Sequence, residues 1–194
     1  MEDRITYESF VLAGGKSSRM GADKGLVDFR GKKMIEHVIY SLGLSYPISI
    51  ISDNQEYRQF GHNVYTDIYK NCGPLGGIHS ALYNSNAGWN IVMSCDLPFV
   101  TSDFLLFLLK KIKGNLCDAI VPVHDSKVEP MCALYCKSSL PKIETLILKK
   151  ELKMQAVLEK LNTIYVEVPK EKFDAGLLFR NINSPADITS PKYE

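Results

Sequence analysis

The chain is 194 residues long, 45% hydrophobic, with 23 basic residues set against 22 acidic ones for a formal charge of +1. That is enough for a globular domain with a sizeable core, and the near-neutral balance excludes a global field that would recruit nucleic acid or a membrane surface, so an anion site has to be local. The opening MEDRITYESF lacks a basic region followed by an apolar stretch, no apolar run approaches the ~20 residues of a membrane span, and five cysteines without a Cys-x-x-Cys pair read as reduced thiols, so a cytoplasmic address is expected.

In chain order, a strand is predicted over 8–12, a helix over 34–42, strands over 48–52 and 63–66, and a helix over 75–83 behind a Gly-Pro start. A strand over 90–94 and a helix over 103–112, capped by Ser102, come next. Strands over 119–123 and 131–136, helices over 140–150 and 153–161, and a strand over 163–168 follow. Ser184-Pro185-Ala186-Asp187 then reads as a helix start, with a serine cap and proline in the first turn. Strand, glycine turn and helix in alternation predict an α/β fold, with a mostly parallel sheet and helices on both faces. No linker or repeat divides residues 1–194, so one domain is expected. Cys132 and Cys136 are four apart and face the same way on a strand or a helix, but Met-Cys-Ala-Leu-Tyr-Cys reads as core strand rather than a metal site.

The stretch VLAGGKSSRMGADKG, residues 11–25, leaves an apolar strand through two glycines and then sets out cations. Open α/β sheets bind ligands at the carboxyl ends of their strands, and Gly14 and Gly15 fall at such an end. Glycines let successive backbone N–H groups converge on a phosphate without a side-chain clash. From Lys16 to Lys33 six basic residues (Lys16, Arg19, Lys24, Arg30, Lys32, Lys33) face two acidic ones (Asp23, Asp28). A surface loop of solvated cations has the same composition, but this excess is concentrated in a nearly neutral chain. Neither G-x-G-x-x-G nor G-x-x-x-x-G-K-[ST] occurs.

A second signal is the apolar run Val92-Met93-Ser94-Cys95, stopped by Asp96 before Leu97-Pro98. A hard cation such as Mg²⁺ needs one or two carboxylates when water and phosphate complete its shell, so Asp96 is a candidate ligand, and a turn cap is the plainer alternative. Asp67 ends a neighbouring strand in the same way. Asp125, in a polar loop, and Glu129, before a proline, rank lower. His37 and His79 fall on helices, His62 and His124 in loops, and packing or exposure accounts for each.

At these positions the chain resembles the molybdenum cofactor guanylyltransferases. Leu12-Ala13-Gly14-Gly15-Lys16-Ser17-Ser18-Arg19-Met20-Gly21-Ala22-Asp23-Lys24 is similar to the family's L-A-G-G-x-S-x-R-M-G-x-D-K signature. The likeness continues through Gly73-Pro74-Leu75-Gly76-Gly77-Ile78, Cys95-Asp96-Leu97-Pro98-Phe99, Glu129-Pro130-Met131 and Asn181-Ile182-Asn183-Ser184-Pro185. The resemblance implies a Rossmann-like nucleotidyltransferase fold and transfer of GMP from GTP to the terminal phosphate of molybdopterin, with Mg²⁺ as cofactor and pyrophosphate released. It implies that Leu12, Ala13, Gly14 and Gly15 cradle the nucleotide through their backbone, that Arg19 and Lys24 neutralise its triphosphate, and that Asp96 holds Mg²⁺. It places Asp67 at the nucleoside end and Asn181 and Asn183 on the pterin side, where amides suit a donor and acceptor edge. Transient contact with molybdoenzymes or other cofactor-assembly proteins is implied as well.

Two departures stand out. Ser52 occupies a position where the family often has Asn, so the nucleotide contact stays with Ser52, shifts to Asn54 or weakens, and Lys33 replaces a usual proline. Gly14-Gly15 sets the chain apart from relatives with Ala-Ala-Gly, among them cytidylyltransferases. A cytidylyl or sugar-phosphate nucleotidyltransferase is the nearer alternative reading. A non-catalytic nucleotide-binding adaptor is the more distant one, disfavoured because Arg19, Lys24 and Asp96 occur together. The nucleophile is an anionic phosphate, so no protein base is required.

Overall fold

The computed structural model describes residues 6–14, 23–43, 47–183 and 187. The first strand, β1 (Tyr7–Leu12), alternates its buried side chains, with Val11 on one face and Phe10 and Leu12 on the other. A two-residue ribbon follows, β2 (Asp28–Phe29) and β3 (Lys32–Lys33), turning through Arg30 and Gly31 at positive φ. Strands this short carry no periodicity and leave no signal in the sequence. Next come α1 (Met34–Ser41), β4 (Ile48–Ile51), β5 (Asn63–Tyr65), α2 (Gly73–Asn84), β6 (Trp89–Ser94) and α3 (Ser102–Leu109). Then follow β7 (Ala119–His124), β8 (Lys127–Val128), β9 (Cys132–Cys136), α4 (Leu140–Leu148), α5 (Met154–Lys160), β10 (Thr163–Glu167) and α6 (Ala175–Leu178).

The main sheet runs β10-β7-β9-β6-β1-β4-β5, with β8 attached to β7. Pairing is parallel between β1 and β4, β1 and β6, β4 and β5, and β7 and β10, whereas β9 runs antiparallel to both β6 and β7. Strands β6 and β7 are therefore parallel to each other, and the carboxyl ends of β1, β4, β5, β6, β7 and β10 share one edge. After β1 the chain builds outward through β4 and β5, then returns to β6 on the opposite side of β1. That reversal opens a crevice between β1 and β6, the place where open α/β sheets receive ligands.

Helices cover both faces, as the alternation predicted. Ile35 and Val38 of α1, Phe104 and Leu108 of α3 and Leu178 of α6 pack in one core with Val11, Ile50 and Met93. Leu75 and Ile78 of α2, Ile143 of α4 and Val157 of α5 pack in the other with Phe10, Val92 and Ala133. Gly77 has a packing reason, since a Cβ there would sit 2.8 Å from Cδ1 of Leu12, so α2 approaches β1 this closely only with glycine. At its other end α2 is closed by Lys137, whose ammonium donates to the carbonyls of Leu82, Tyr83 and Ser85.

Two expectations shift, and a third falls outside the described residues. Thr101, not Ser102, caps α3, accepting from Phe104 N at 3.3 Å, while Ser102 is the first helical residue and its hydroxyl donates to Ser41 O. His124 is the buried last residue of β7 rather than a loop residue. The helix start at Ser184-Pro185-Ala186 lies outside the described residues, although Asp187 is helical. Cys132 is buried on β9, as its apolar context predicted. Among the described residues no helix is long and apolar enough to cross a membrane.

Candidate active site

The ladder continues past the end of β1: Ala13 N donates to Ile51 O at 2.9 Å and Cys95 N to Leu12 O at 3.1 Å. Leu12 and Ala13 are thereby held between β4 and β6, and a Cβ on the exposed Gly14 would meet nothing within 4 Å. The backbone at 14 faces open space at the carboxyl edge. Gly15 and Arg19 lie outside the described residues.

The chain returns at Asp23, and Lys24 opens a short 3-10 turn, Lys24–Leu26. From there the Lys24 side chain reaches across the crevice. Its ammonium donates to Asp96 Oδ2 at 3.2 Å, just beyond β6, and to Asn183 Oδ1 at 2.5 Å. Asp96 Oδ1 accepts from Ser94 Oγ at 2.5 Å, so the carboxylate is fixed from both sides. Ile182 N donates to Asp96 O at 3.1 Å, and Asn183 N to Asp187 Oδ2 at 3.0 Å, which bring the C-terminal segment onto the same point. Three stretches far apart in sequence thus meet at one lysine. The Lys24 and Asp96 side chains are 24% and 15% exposed, so a ligand in the crevice can reach both while little bulk water screens them. Asn181 is exposed beside this cluster.

The ribbon β2–β3 walls one side. Phe29, Met34 and Ile182 form a small core with Phe99 packed against it, and the Arg30 guanidinium lies 5.5 Å and 5.6 Å from the centroids of Phe29 and Phe99.

At the neighbouring strand ends the polar groups are mostly turned inward. Ser52 is buried and its hydroxyl donates to Ala13 O at 2.8 Å while accepting from Asn54 N at 3.1 Å. The Asn54 side chain is equally committed: Oδ1 accepts from Glu56 N at 3.0 Å and Nδ2 donates to Asp23 Oδ2 at 3.1 Å. The Ser52 and Asn54 side chains therefore both bind protein, tying the end of β4 to the end of β1 and to Asp23. Asp67, beyond β5, differs again. Its Oδ1 is buried without a hydrogen-bond partner, and its pKa is raised, first by burial and then by the charge of Asp53, with Lys70 and the Ser80 hydroxyl acting the other way.

The residues ranked lower are engaged elsewhere. Asp125 pairs with Lys170 at 2.7 Å, and Glu129 bonds the His124 ring at 2.9 Å. His37 bonds Phe29 O at 2.8 Å, and His79 is buried, its pKa lowered chiefly by that burial. A cleft of about 440 Å³ lined by Asp125 and residues 170–176 contains none of Lys24, Asp96 or Asn183. Asp23 and Tyr57 are the participants that sequence reasoning passed over. Asp23 stood in the quoted signature without a role, and Tyr57 gave no signal, because its partner lies 34 positions away.

An open, mostly parallel sheet that gathers a glycine turn, a lysine and an aspartate at its switch point defines an α/β enzyme class that handles nucleotides. Family comparison makes this specific: a model described as the MobA-like NTP transferase domain matches residues 9–164. A protein of Flavobacterium johnsoniae named probable molybdenum cofactor guanylyltransferase is 38% identical over 184 residues, covering 94% of this chain and 95% of its own. Molybdenum cofactor guanylyltransferase of Vibrio campbellii is 33% identical, covering 92% and 91%. The crystal structure of molybdopterin-guanine dinucleotide biosynthesis protein A from Archaeoglobus fulgidus superposes with a TM-score of 0.80 at 33% identity, covering 93% of this chain and 94% of that one. The chain belongs to the MobA-like NTP transferase family and is a nucleotidyltransferase.

Proposed function

We propose that this protein transfers GMP from GTP to the terminal phosphate of molybdopterin, releasing pyrophosphate, as a single cytoplasmic domain. The observation that carries the reading is the Lys24–Asp96 pair bridging the crevice between β1 and β6, beside the open backbone at Gly14. The relatives' names supply the guanylyl and molybdenum cofactor identities, and the name of the Archaeoglobus fulgidus structure supplies molybdopterin.

In this reading the backbone of Leu12, Ala13, Gly14 and Gly15 lies along the nucleotide. Arg19 and Lys24 place positive charge where it builds up on the departing pyrophosphate. Ser52 acts through its bond to Ala13 O, holding the strand end that meets the nucleotide. Asp67 contacts the nucleoside end. Asn181 and Asn183 face the pterin side.

Asp96 suits Mg²⁺ in its donor chemistry. It is a carboxylate already holding a cationic group, the Lys24 ammonium, and among the described residues no cluster of three or more His, Cys, Asp or Glu side chains offers a rival cage. A magnesium ion held by one carboxylate draws its other ligands from phosphate and water, and when bound it neutralises triphosphate charge. Product delivery to molybdoenzymes or other cofactor-assembly proteins would be transient.

A thermal-shift panel of GTP, CTP, UTP and ATP, with and without Mg²⁺, tests the assignment. Ligand binding stabilises the native state as RT ln(1 + [L]/Kd), so a tenfold preference for GTP is worth up to about 1.4 kcal/mol. GTP with Mg²⁺ should give the largest shift, and a larger one with CTP would transfer the reading to a cytidylyltransferase.

A further inference from the structure

Asp23 precedes Lys24, and its carboxylate is satisfied from three directions. Oδ1 accepts from the Tyr57 hydroxyl and from Gly25 N at 3.3 Å, and Oδ2 accepts from Asn54 Nδ2 at 3.1 Å. The bond to Gly25 N alone would cap the 3-10 turn that begins at Lys24. The other two donors do something a cap does not require, since both come from the segment after β4, more than thirty positions away in sequence.

That segment is rigidly based. Tyr57 is fully buried, packed in the core beneath α1 and α3, with only its hydroxyl directed at Asp23. Burial, and then the neighbouring Cys95 and Asp23, push the hydroxyl pKa well up, so it remains a neutral donor at any working pH. Asn54 is itself fixed by Ser52 and Glu56. A Cβ on Gly25 would overlap the Tyr57 hydroxyl, so glycine at 25 is what lets the tyrosine reach the carboxylate. Lys24 is thus attached to a backbone pinned on both sides, Asp23 before it and Gly25 after it, while its own side chain spans to Asp96 and Asn183.

We infer that Tyr57, Asn54 and Asp23 are positioning residues for the reaction: they lock the backbone at Lys24 so that its ammonium is held over the β1–β6 crevice. This rests on the proposed role of Lys24 at the triphosphate. The lock acts through Lys24, so its effect should vanish when that ammonium is removed, whereas a purely structural contribution would persist.

The experiment is a double-mutant cycle of Tyr57→Phe against Lys24→Ala, read by kcat/KM for pyrophosphate release and by calorimetric affinity for GTP. Tyr57→Phe keeps the ring in the core and deletes one hydroxyl. With Lys24 present it should lower kcat/KM about tenfold, the scale of a lost hydrogen bond to a charged group, with the melting temperature little changed. In the Lys24→Ala background it should cost under about twofold. Asn54→Ala runs the same cycle without touching the core, and replaces Tyr57→Phe if that variant does not fold. An equal loss in both backgrounds, or no loss with Lys24 present, overturns the inference. The proposed function fails separately: if wild type binds another nucleoside triphosphate better than GTP, the same cycle read as affinity for that nucleotide still decides the positioning role. If no nucleoside triphosphate binds at all, both are overturned.

Discussion

Asp96 and Asp67 occupy equivalent topological positions, each just past a strand parallel to β1, yet their surroundings are opposite. Asp96 is held by Ser94 on one oxygen and by the Lys24 ammonium on the other. Asp67 keeps a buried oxygen with no partner, and its pKa rises because burial disfavours its charge. A residue type at a strand end therefore does not define a chemistry. The first carboxylate has a donor on each oxygen, one of them an ammonium. The second keeps a buried acceptor without a donor, which costs free energy.

The sharpest way to break this comparison is Asp96→Asn. Shape is retained, but the charge that attracts a hard divalent ion is lost, so pyrophosphate release should fall by orders of magnitude across a Mg²⁺ titration while metal-free GTP affinity changes far less. A turn-capping aspartate would tolerate asparagine, because the two cap almost equally well. Wild-type turnover with unaltered metal dependence would make Asp96 a cap.

Removing the other half of the pair, Lys24→Ala, should cost about 2 to 4 kcal/mol of transition-state stabilisation, read from kcat/KM, with the fold retained. The side chain is partly exposed. An unfolded variant would show that Lys24 is structural.

Gly25→Ala probes the support beneath that lysine. The added methyl collides with the Tyr57 hydroxyl, and because Tyr57 is fully buried the strain has few ways to relax. Overpacking of this kind typically costs about 1 to 3 kcal/mol, to be measured by denaturant unfolding. Combining it with Tyr57→Phe should recover part of the loss, and no recovery would place the strain elsewhere.

The smallest effect is expected at Asp67→Asn, and its sign is distinctive. A carboxyl group whose folded pKa lies above its unfolded value contributes stability that is present below the unfolded pKa and lost as pH rises through the folded one. The asparagine variant does not titrate. Its stability relative to wild type should therefore improve steadily as pH climbs through the carboxylate range towards neutrality, followed by thermal unfolding at a series of pH values. A difference that is flat with pH would remove the contrast between the two aspartates.

Much of the architecture was legible in the chain because its signals are local. Continuous apolar runs at 10–12 and 91–93, and helical spacing at 34–42 and 103–112, recover β1, β6, α1 and α3 within a few residues. Thr101 displaced Ser102 as a cap because adjacent hydroxyl residues offer the same chemistry one position apart, and the helix axis chooses between them. The two-residue strands β2 and β3 exist by virtue of packing Phe29 against Ile182, a contact no window can contain.

The sequence by itself determined which residues supply charge and backbone freedom, Gly14, Lys24 and Asp96 among them, because residue identity and spacing from a strand end are properties of the chain. It equally determined that β1 and β6 are buried strands, since an apolar run this short, bounded by turn residues, suits a strand covered on both faces rather than a helix. Tertiary structure alone decided how those residues divide the work. Lys24 meets Asn183 across 159 positions, and Tyr57 reaches Asp23 from the far side of β4. Ser52 and Asn54 turn inward instead of facing a ligand, while Asp67 is left with an oxygen unpartnered. The reason is that hydrogen-bond satisfaction is settled in three dimensions: a polar side chain is free for a ligand only when the completed fold has given it no better partner.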